Sequence, residues 1–313
     1  MEKGNLSSLI CAGFPQKDIL DAFKVFEKYP PGMVLLFSDN VEGREELKEL
    51  CKRIKKIKGK PLVAVDMEGG RVNRLKKILG ELPPAEEYGK WEEEKIERMA
   101  FEWGMEMKGL GIDVDFAPCV DLGPVKEGTG LEGRILSKDK EEVKRKGFAF
   151  LRGLGGAGII GCIKHYPGLG ASEVDSHFKL PVVNLDKKEL KKHIEIFEFL
   201  KGYSPMIMVA HCIYKCLDEN FPASLSEKII KKIKPYNGLI ISDDLEMGAL
   251  SSYGSISERA YLSLKAGCGM VIISHKFYEI PSVVQKLKFK SKIIDYLKWK
   301  RRSLKYAKRT FAA

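Results

Sequence analysis

Two of the five histidines of the chain lie close together, in the segment 163–181. Lys164 and His165 end an apolar run, and Asp175 precedes His177 by two positions. An imidazole exchanges protons near neutral pH, and a nearby carboxylate can fix its tautomer and stabilise its charged form. Asp-x-His alone is more typical of a surface loop, but this concentration of histidines favours a proton-transfer pair of Asp175 and His177.

A second apolar run, which begins at Gly238, ends in Ser242-Asp243-Asp244. A carboxylate at such a strand end can attack an anomeric carbon and form a covalent glycosyl-enzyme intermediate. Capping of a following helix is the alternative role for these residues. Two adjacent carboxylates exceed what a cap needs, so the stretch remains a candidate nucleophile site.

A third run ends in Asp66 and continues through Gly69-Gly70, which allow a sharp turn, to Arg71 and Arg74. A carboxylate accepts and a guanidinium donates hydrogen bonds, so the two together suit sugar hydroxyls. A structural salt bridge beneath the turn is the alternative.

Short apolar runs that alternate with longer amphipathic segments must position these residues. The runs are Leu9–Phe14, Met33–Phe37, Leu62–Asp66, Val114–Val120, Ile159–Lys164, Met206–His211, Gly238–Ser242 and Met270–Ser274. Eight strand–helix units predict one α/β domain, a single (β/α)8 TIM-type barrel spanning 1–313, with a basic helical segment at about 280–307. Active sites of such barrels lie at the carboxyl ends of the strands, where the polar residues collect. These are Asp66, Asp121, Lys164, His165, His211, Asp243 and Asp244.

The composition fits a globular protein, with 44% hydrophobic and 31% charged residues, and no apolar run approaches the roughly 18 residues of a membrane span. The start of the chain lacks the pattern of a secretory signal. Seven cysteines, five of them in apolar runs, are typical of buried thiols in a reducing compartment. A cytoplasmic location is therefore expected, with no metal and no cofactor.

The net charge of +11 arises almost entirely after residue 275. Such a basic segment can contact anionic lipid, nucleic acid or cell-wall polymer. Packing of its apolar residues on the barrel, with the lysines in water, is the favoured interpretation, so no nucleic-acid partner is expected. The sequence does not give the oligomeric state.

Six stretches, in the same order, resemble those of family 3 glycoside hydrolases, specifically the bacterial single-domain β-N-acetylhexosaminidase branch. They read DMEGGRVNRL, DVDFAPCVDL, KHYPGLGASEVDSH, MVAHCIY, PASLS and GLIISDDLEM. The resemblance implies that Asp243 is the nucleophile, His177 the general acid/base and Asp175 its partner. It also implies that the sugar is held by Asp66, Arg74, Arg134, Lys164 and His165. We place His211, which ends the next strand, in the same substrate-binding group. The chain departs from the branch at Leu169, where a histidine is usual, and after Arg134, where Ile135-Leu136 replace a small residue and an aromatic.

The expected function is that of a retaining exo-β-N-acetylglucosaminidase acting on small cell-wall saccharides or muropeptides. Many family 3 enzymes take their proton donor from a second α/β domain, for which this chain is expected to have no room, so Asp175–His177 is the available donor. A phosphorylase of the same family and a β-glucosidase with a histidine acid/base remain alternatives. A phosphate-binding barrel isomerase is disfavoured because glycine-rich loops are missing after strands seven and eight. Gly168 and Gly170 are expected to make the loop that carries His177 mobile.

Overall fold

Eight parallel strands close into a barrel in residues 6–288, the part of the chain that this computed structural model describes. Labelled β1 to β8, they are Ile10–Ala12, Met33–Leu35, Leu62–Val65, Val114–Asp115, Ile160–Tyr166, Met206–Val209, Leu239–Asp244 and Met270–Ile273. Each pairs with its neighbours in chain order, and β1 pairs with β8 through Ile10 opposite Val271. The predicted (β/α)8 architecture is therefore confirmed.

Helices follow the strands and cover the outside of the barrel. The main ones are Ile19–Lys28, Arg44–Lys56, Glu93–Leu110, Lys140–Gly156, Lys187–Leu200, Glu227–Ile230, Ile256–Ala266 and Ile280–Leu287, with short helices at Lys76–Leu79 and Ala85–Tyr88. Arg44–Lys56 is typical, since it buries Leu47, Leu50, Cys51 and Ile54, which share one face at helical spacing. Within residues 6–288, none of the helices is long and apolar enough to cross a membrane.

The basic helical segment predicted at about 280–307 is described only in part. Its first portion is the helix Ile280–Leu287, and the remainder lies outside the described residues. The single-domain assignment of 1–313 stays a prediction for the same reason.

The interior of the barrel is filled by fifteen buried side chains, six of which contain sulfur. The sulfur-containing residues are Cys11, Met33, Cys162, Met206, Met208 and Met270. Alternate residues of the strands point outward instead and pack against the helices in a second, larger core. A filled interior confines ligands to the ends of the strands.

Two small additional sheets shape the end of the barrel at which the strands terminate. After β3 the chain forms an antiparallel hairpin, Met67–Gly69 with Val72–Asn73. Its turn needs glycine because Gly69 and Gly70 have φ angles of 87° and 54°. After β5 and β6 the segments Val182–Val183 and Ile213–Tyr214 pair in parallel, which joins the long loop after β5 to the loop after β6.

Candidate active site

A cavity of about 460 Å³ opens at the carboxyl ends of the barrel strands. Eight of the nine residues that the sequence assigned to the site line it, namely Asp66, Arg74, Arg134, Lys164, His165, Asp175, His177 and Asp243. Its apolar lining includes Phe116, Met208 and Ile272. The cavity therefore joins carboxylates, cations and imidazoles above an apolar base, a combination suited to a ligand that is both hydroxylated and partly hydrophobic.

Four charged side chains form a buried network on one side of the cavity. The Lys164 Nζ lies 2.8 Å from Asp66 Oδ1 and 2.5 Å from Glu68 Oε1. The Arg134 guanidinium donates to both oxygens of Glu68, at 2.8 and 2.9 Å. Burial acts to raise the pKa of Glu68, but the charges of Arg134 and Lys164 outweigh it and hold that pKa well below its usual range. Each charge therefore has a partner, which buried ions require.

Glu68 is a functional residue that the sequence reasoning missed. It stands two positions after Asp66 in the hairpin, and its side chain is 2% exposed. Arg134 and Lys164 were both assigned to one pocket, and buried cations need carboxylates beside them. This requirement could have identified Glu68 from the sequence.

His165 is oriented by Asp121, which follows β4. Its Nδ1 lies 2.7 Å from Asp121 Oδ2, so the ring donates there, and the other oxygen of Asp121 accepts from the Leu169 amide at 2.6 Å. The opposite ring nitrogen lies 3.4 Å from Arg134 Nη2, which makes it an acceptor on that side. The sequence placed Asp121 at the strand ends but gave it no role; it acts by fixing the tautomer of a cavity residue.

One group of side chains beside the cavity has metal-binding geometry. Ligand atoms of Cys119, Asp121 and His165 lie within 4.8 Å of one another. The Cys119 thiol donates to Asp121 at 3.3 Å, and burial raises the pKa of that thiol. Because the Arg134 cation lies beside His165, a second cation would be repelled, and we interpret the group as a hydrogen-bond network.

Arg74 keeps donors available to a ligand. Its guanidinium lies 5.6 Å from the centre of the Phe37 ring, and its Nε is buried without a hydrogen-bond partner among the described residues. A buried donor that lacks a partner costs free energy unless a ligand supplies an acceptor.

Asp243 and Asp244 end β7 at the cavity but have opposite electrostatic environments. Burial acts to raise the pKa of Asp243, yet the His165 imidazole and the Asp244 amide, which donates at 2.8 Å, bring it below its ordinary value. Burial raises the pKa of Asp244 to about 7, although the Ser274 hydroxyl donates to it at 2.5 Å. Asp243 is thus the carboxylate that is ionised across the neutral range.

His211 is the one assigned residue that does not line the cavity. It is fully buried, its Nε2 donates to the Asp244 carbonyl at 2.9 Å, and its Nδ1 lies 2.6 Å from the Ser224 hydroxyl. Both ring nitrogens are used within the protein, so His211 supports the backbone beside Asp243, and its place in the substrate-binding group stays a prediction. Burial lowers the pKa of His211, which favours the neutral ring.

Asp175 and His177 form the pair that the sequence predicts. The His177 Nδ1 lies 2.6 Å from Asp175 Oδ1, and the same oxygen accepts from the His177 amide at 2.8 Å. With Nδ1 bound to the carboxylate, Nε2 is the nitrogen left to exchange a proton. The His177 side chain is 60% exposed, so this nitrogen is accessible to ligand and water.

The glycines before this pair are closely packed. A Cβ on Gly170 would lie 1.9 Å from the Leu122 carbonyl oxygen, and one on Gly168 would lie 2.5 Å from His193 Cβ. Both glycines are therefore required by close packing at the base of the loop, and the mobility expected of the loop stays a prediction. Replacement of Gly170 by proline is accordingly expected to destabilise the fold.

Comparison with known proteins identifies similar chains. Residues 9–300 match the family described as glycosyl hydrolase family 3 N terminal domain. A beta-hexosaminidase of Methylobacillus flagellatus is 33% identical over 272 residues, which cover 82% of this chain and 77% of that protein.

Solved structures agree with the sequence comparison. The family 3 beta-N-acetylglucosaminidase from Paenibacillus sp. str. FPU-7 is similar with a TM-score of 0.87 and 25% identity, over 100% of this chain and 63% of that one. NagZ from Neisseria gonorrhoeae, solved in complex with N-trifluoroacetyl-D-glucosamine, is similar with a TM-score of 0.80 and 28% identity, over 96% and 89% of the two chains.

Proposed function

The chain belongs to glycosyl hydrolase family 3 and is a glycoside hydrolase, and from this we propose that it releases terminal β-linked N-acetylglucosamine from small cell-wall saccharides, including muropeptides, with retention of configuration. The observation that carries the proposal is one cavity shared by an ionised carboxylate, Asp243, and a hydrogen-bonded imidazole–carboxylate pair, His177–Asp175. The named relatives support the choice of sugar.

In the first step Asp243 attacks the anomeric carbon and the glycosidic C–O bond breaks. The proton on His177 Nε2 passes to the leaving oxygen, while the Asp175 carboxylate stabilises the imidazolium before transfer. The product is a glycosyl ester on Asp243. In the second step neutral His177 takes a proton from water, the resulting hydroxide attacks the anomeric carbon, and Asp243 departs.

The sugar is held by other polar side chains that line the cavity. Asp66 accepts hydrogen bonds from hydroxyls, whereas Arg74 and Lys164 donate, and His165, whose ring is oriented by Asp121, lines the same part of the cavity. Arg134 spends most of its donors on Glu68 and on the Gly130 carbonyl. It therefore holds the charged network in shape and has little capacity to bind the sugar directly.

The state of the cysteines indicates the cellular compartment in which we propose that the enzyme works. All seven are free, and six are buried. Free buried thiols are typical of proteins from a reducing compartment, which supports a cytoplasmic role in recycling cell-wall fragments.

The test compares aryl β-glycosides that differ only at the 2-position, acetamido against hydroxyl, with Asp243→Ala as a control for contaminating activity. We expect at least about tenfold higher kcat/KM for the acetamido substrate, a difference of about 1.4 kcal/mol. Preference for the hydroxyl substrate would assign a β-glucosidase instead. Product analysis with and without phosphate separates hydrolysis from phosphorolysis, which an imidazole acid/base does not oppose by charge.

A further inference from the structure

We propose that Gly248 is a positioning residue for the acid/base: the absence of a side chain there lets the loop that carries Asp175 and His177 seat against the segment that follows β7. This loop, residues 172–181, is called the dyad loop below. The inference rests on the proposed function, because it assigns Gly248 an effect on proton transfer to the leaving group.

Two backbone hydrogen bonds attach the dyad loop to the segment after β7. The Gly248 amide donates to the His177 carbonyl at 2.9 Å, and the Ala249 amide donates to the Ser176 carbonyl at 3.2 Å. Both amides begin the 3₁₀ helix Gly248–Tyr253, which follows Asp243 closely in the chain. The backbone of the acid/base is thus bound directly to the segment that follows the nucleophile in the chain.

Gly248 leaves no room for a side chain at this contact. A Cβ would lie 2.6 Å from the Phe178 carbonyl oxygen and 2.8 Å from that of His177, closer than carbon and oxygen atoms pack. Gly248 is not among the residues with positive φ, so alanine fits its backbone conformation. Alanine at position 248 therefore disturbs the packing of the dyad loop and not the local backbone conformation.

The Asp175 side chain is also closely packed. A Cβ on Gly130 would lie 2.8 Å from Asp175 Oδ2. The end of the loop is also fixed, because the Ile213 amide donates to the Pro181 carbonyl at 2.9 Å. A side chain at Gly248 must therefore displace the middle of the loop, which includes His177.

The test uses Gly248→Ala and Gly248→Val, with Gly109→Ala as the matched control because a Cβ at Gly109 meets no atom within 4 Å outside its own stretch of helix. An ångström of misplacement can cost about 100-fold in rate. We expect kcat/KM on the N-acetylglucosamine β-1,4 dimer, a poor leaving group, to fall at least about tenfold in Gly248→Ala and further in Gly248→Val.

Activated aryl N-acetylglucosaminides should react with Asp243 almost normally in both variants, and added azide should accelerate their turnover. The thermal midpoint should fall in both variants, because the Cβ meets backbone atoms, but a general loss of stability does not confine the loss of activity to poor leaving groups. Equal losses on both leaving groups, or wild-type activity on the dimer, would overturn the role of Gly248.

A crystal structure of Gly248→Val tests the inference without measuring activity. In it, residues 175–178 should be displaced from their wild-type position. An unmoved loop would also overturn the inference. Absence of N-acetylglucosaminidase activity in the wild type would refute the proposed function instead, so the two failures are distinguishable.

Discussion

The ammonium of Lys164 lies 2.8 Å from the carboxylate of Asp66, a contact that joins the end of β5 to the end of β3 across the mouth of the barrel. The same ammonium reaches Glu68 at 2.5 Å. The groups that we propose bind the sugar are therefore held in place by one another, as precise binding requires.

Replacement of Lys164 by methionine should destabilise the protein strongly. It leaves Asp66 and Glu68 with one fewer cation in a buried setting, and breaking a buried ion pair typically costs about 3–5 kcal/mol. Urea denaturation of wild type and variant measures the loss. Lys126→Met is the matched control, because the Lys126–Glu173 pair is exposed and should contribute little. Similar losses in the two variants would contradict the importance of the buried network.

Replacement of Asp243 by alanine should reduce turnover of aryl N-acetylglucosaminides by on the order of 1,000-fold or more, because it removes the carboxylate that we propose forms the glycosyl ester. A slowly released 2-fluoro sugar analogue should label Asp243, and peptide mass spectrometry locates the label. A label on Asp244 or Asp66 would show that the nucleophile is assigned wrongly.

Replacement of His177 by alanine should lower activity by about 100- to 10,000-fold on substrates with poor leaving groups, which need a proton in the first step. Activated aryl glycosides should lose less in that step, and azide should partly restore the second step. Steady-state rates across a series of leaving-group pKa values measure the effect. A uniform loss without azide rescue would mean that His177 is structural.

Replacement of Asp244 by asparagine should change how stability depends on pH. The pKa of Asp244 is raised from 3.8 to about 7 in the folded protein, so above pH 4 the unfolded chain releases a proton that the folded chain retains. The free energy of unfolding of the wild type, relative to Asp244→Asn, should therefore fall as pH rises from about 4 to 7, by on the order of 2–4 kcal/mol. Denaturation of both proteins across this range measures it, and a constant difference would contradict the shifted titration.

The barrel could be predicted because its strands are short apolar runs that differ in period from the helices between them. The ends of a strand were harder to predict where they depend on pairing with the neighbouring strands. Val114–Val120 reads as one strand, but regular pairing stops at Asp115 and resumes only as a bridge from Cys119 to Lys164. No local pattern encodes that interruption.

The site could be predicted in part, since eight of its nine assigned residues share the cavity. Glu68 and Asp121 were missed as functional groups because their roles depend on cations and imidazoles from other strands. His211 follows a strand as its neighbours do, yet its ring is buried and does not line the cavity. Residue type and chain position specify the rim of a barrel but not the direction in which each side chain points.

The pairing of β1 with β8 has a consequence for how the protein is made. Ile10 meets Val271 only after nearly all of the described chain has been synthesised, so a growing chain on the ribosome holds an incomplete sheet with two unpaired edges. Such edges readily pair with other chains. Asp66 and Asp243 can both be synthesised before the last strand emerges. The closed ring of strands that sets the distance between them has not yet formed at that stage. We therefore expect truncated chains that end before Met270 to require chaperones to stay in solution.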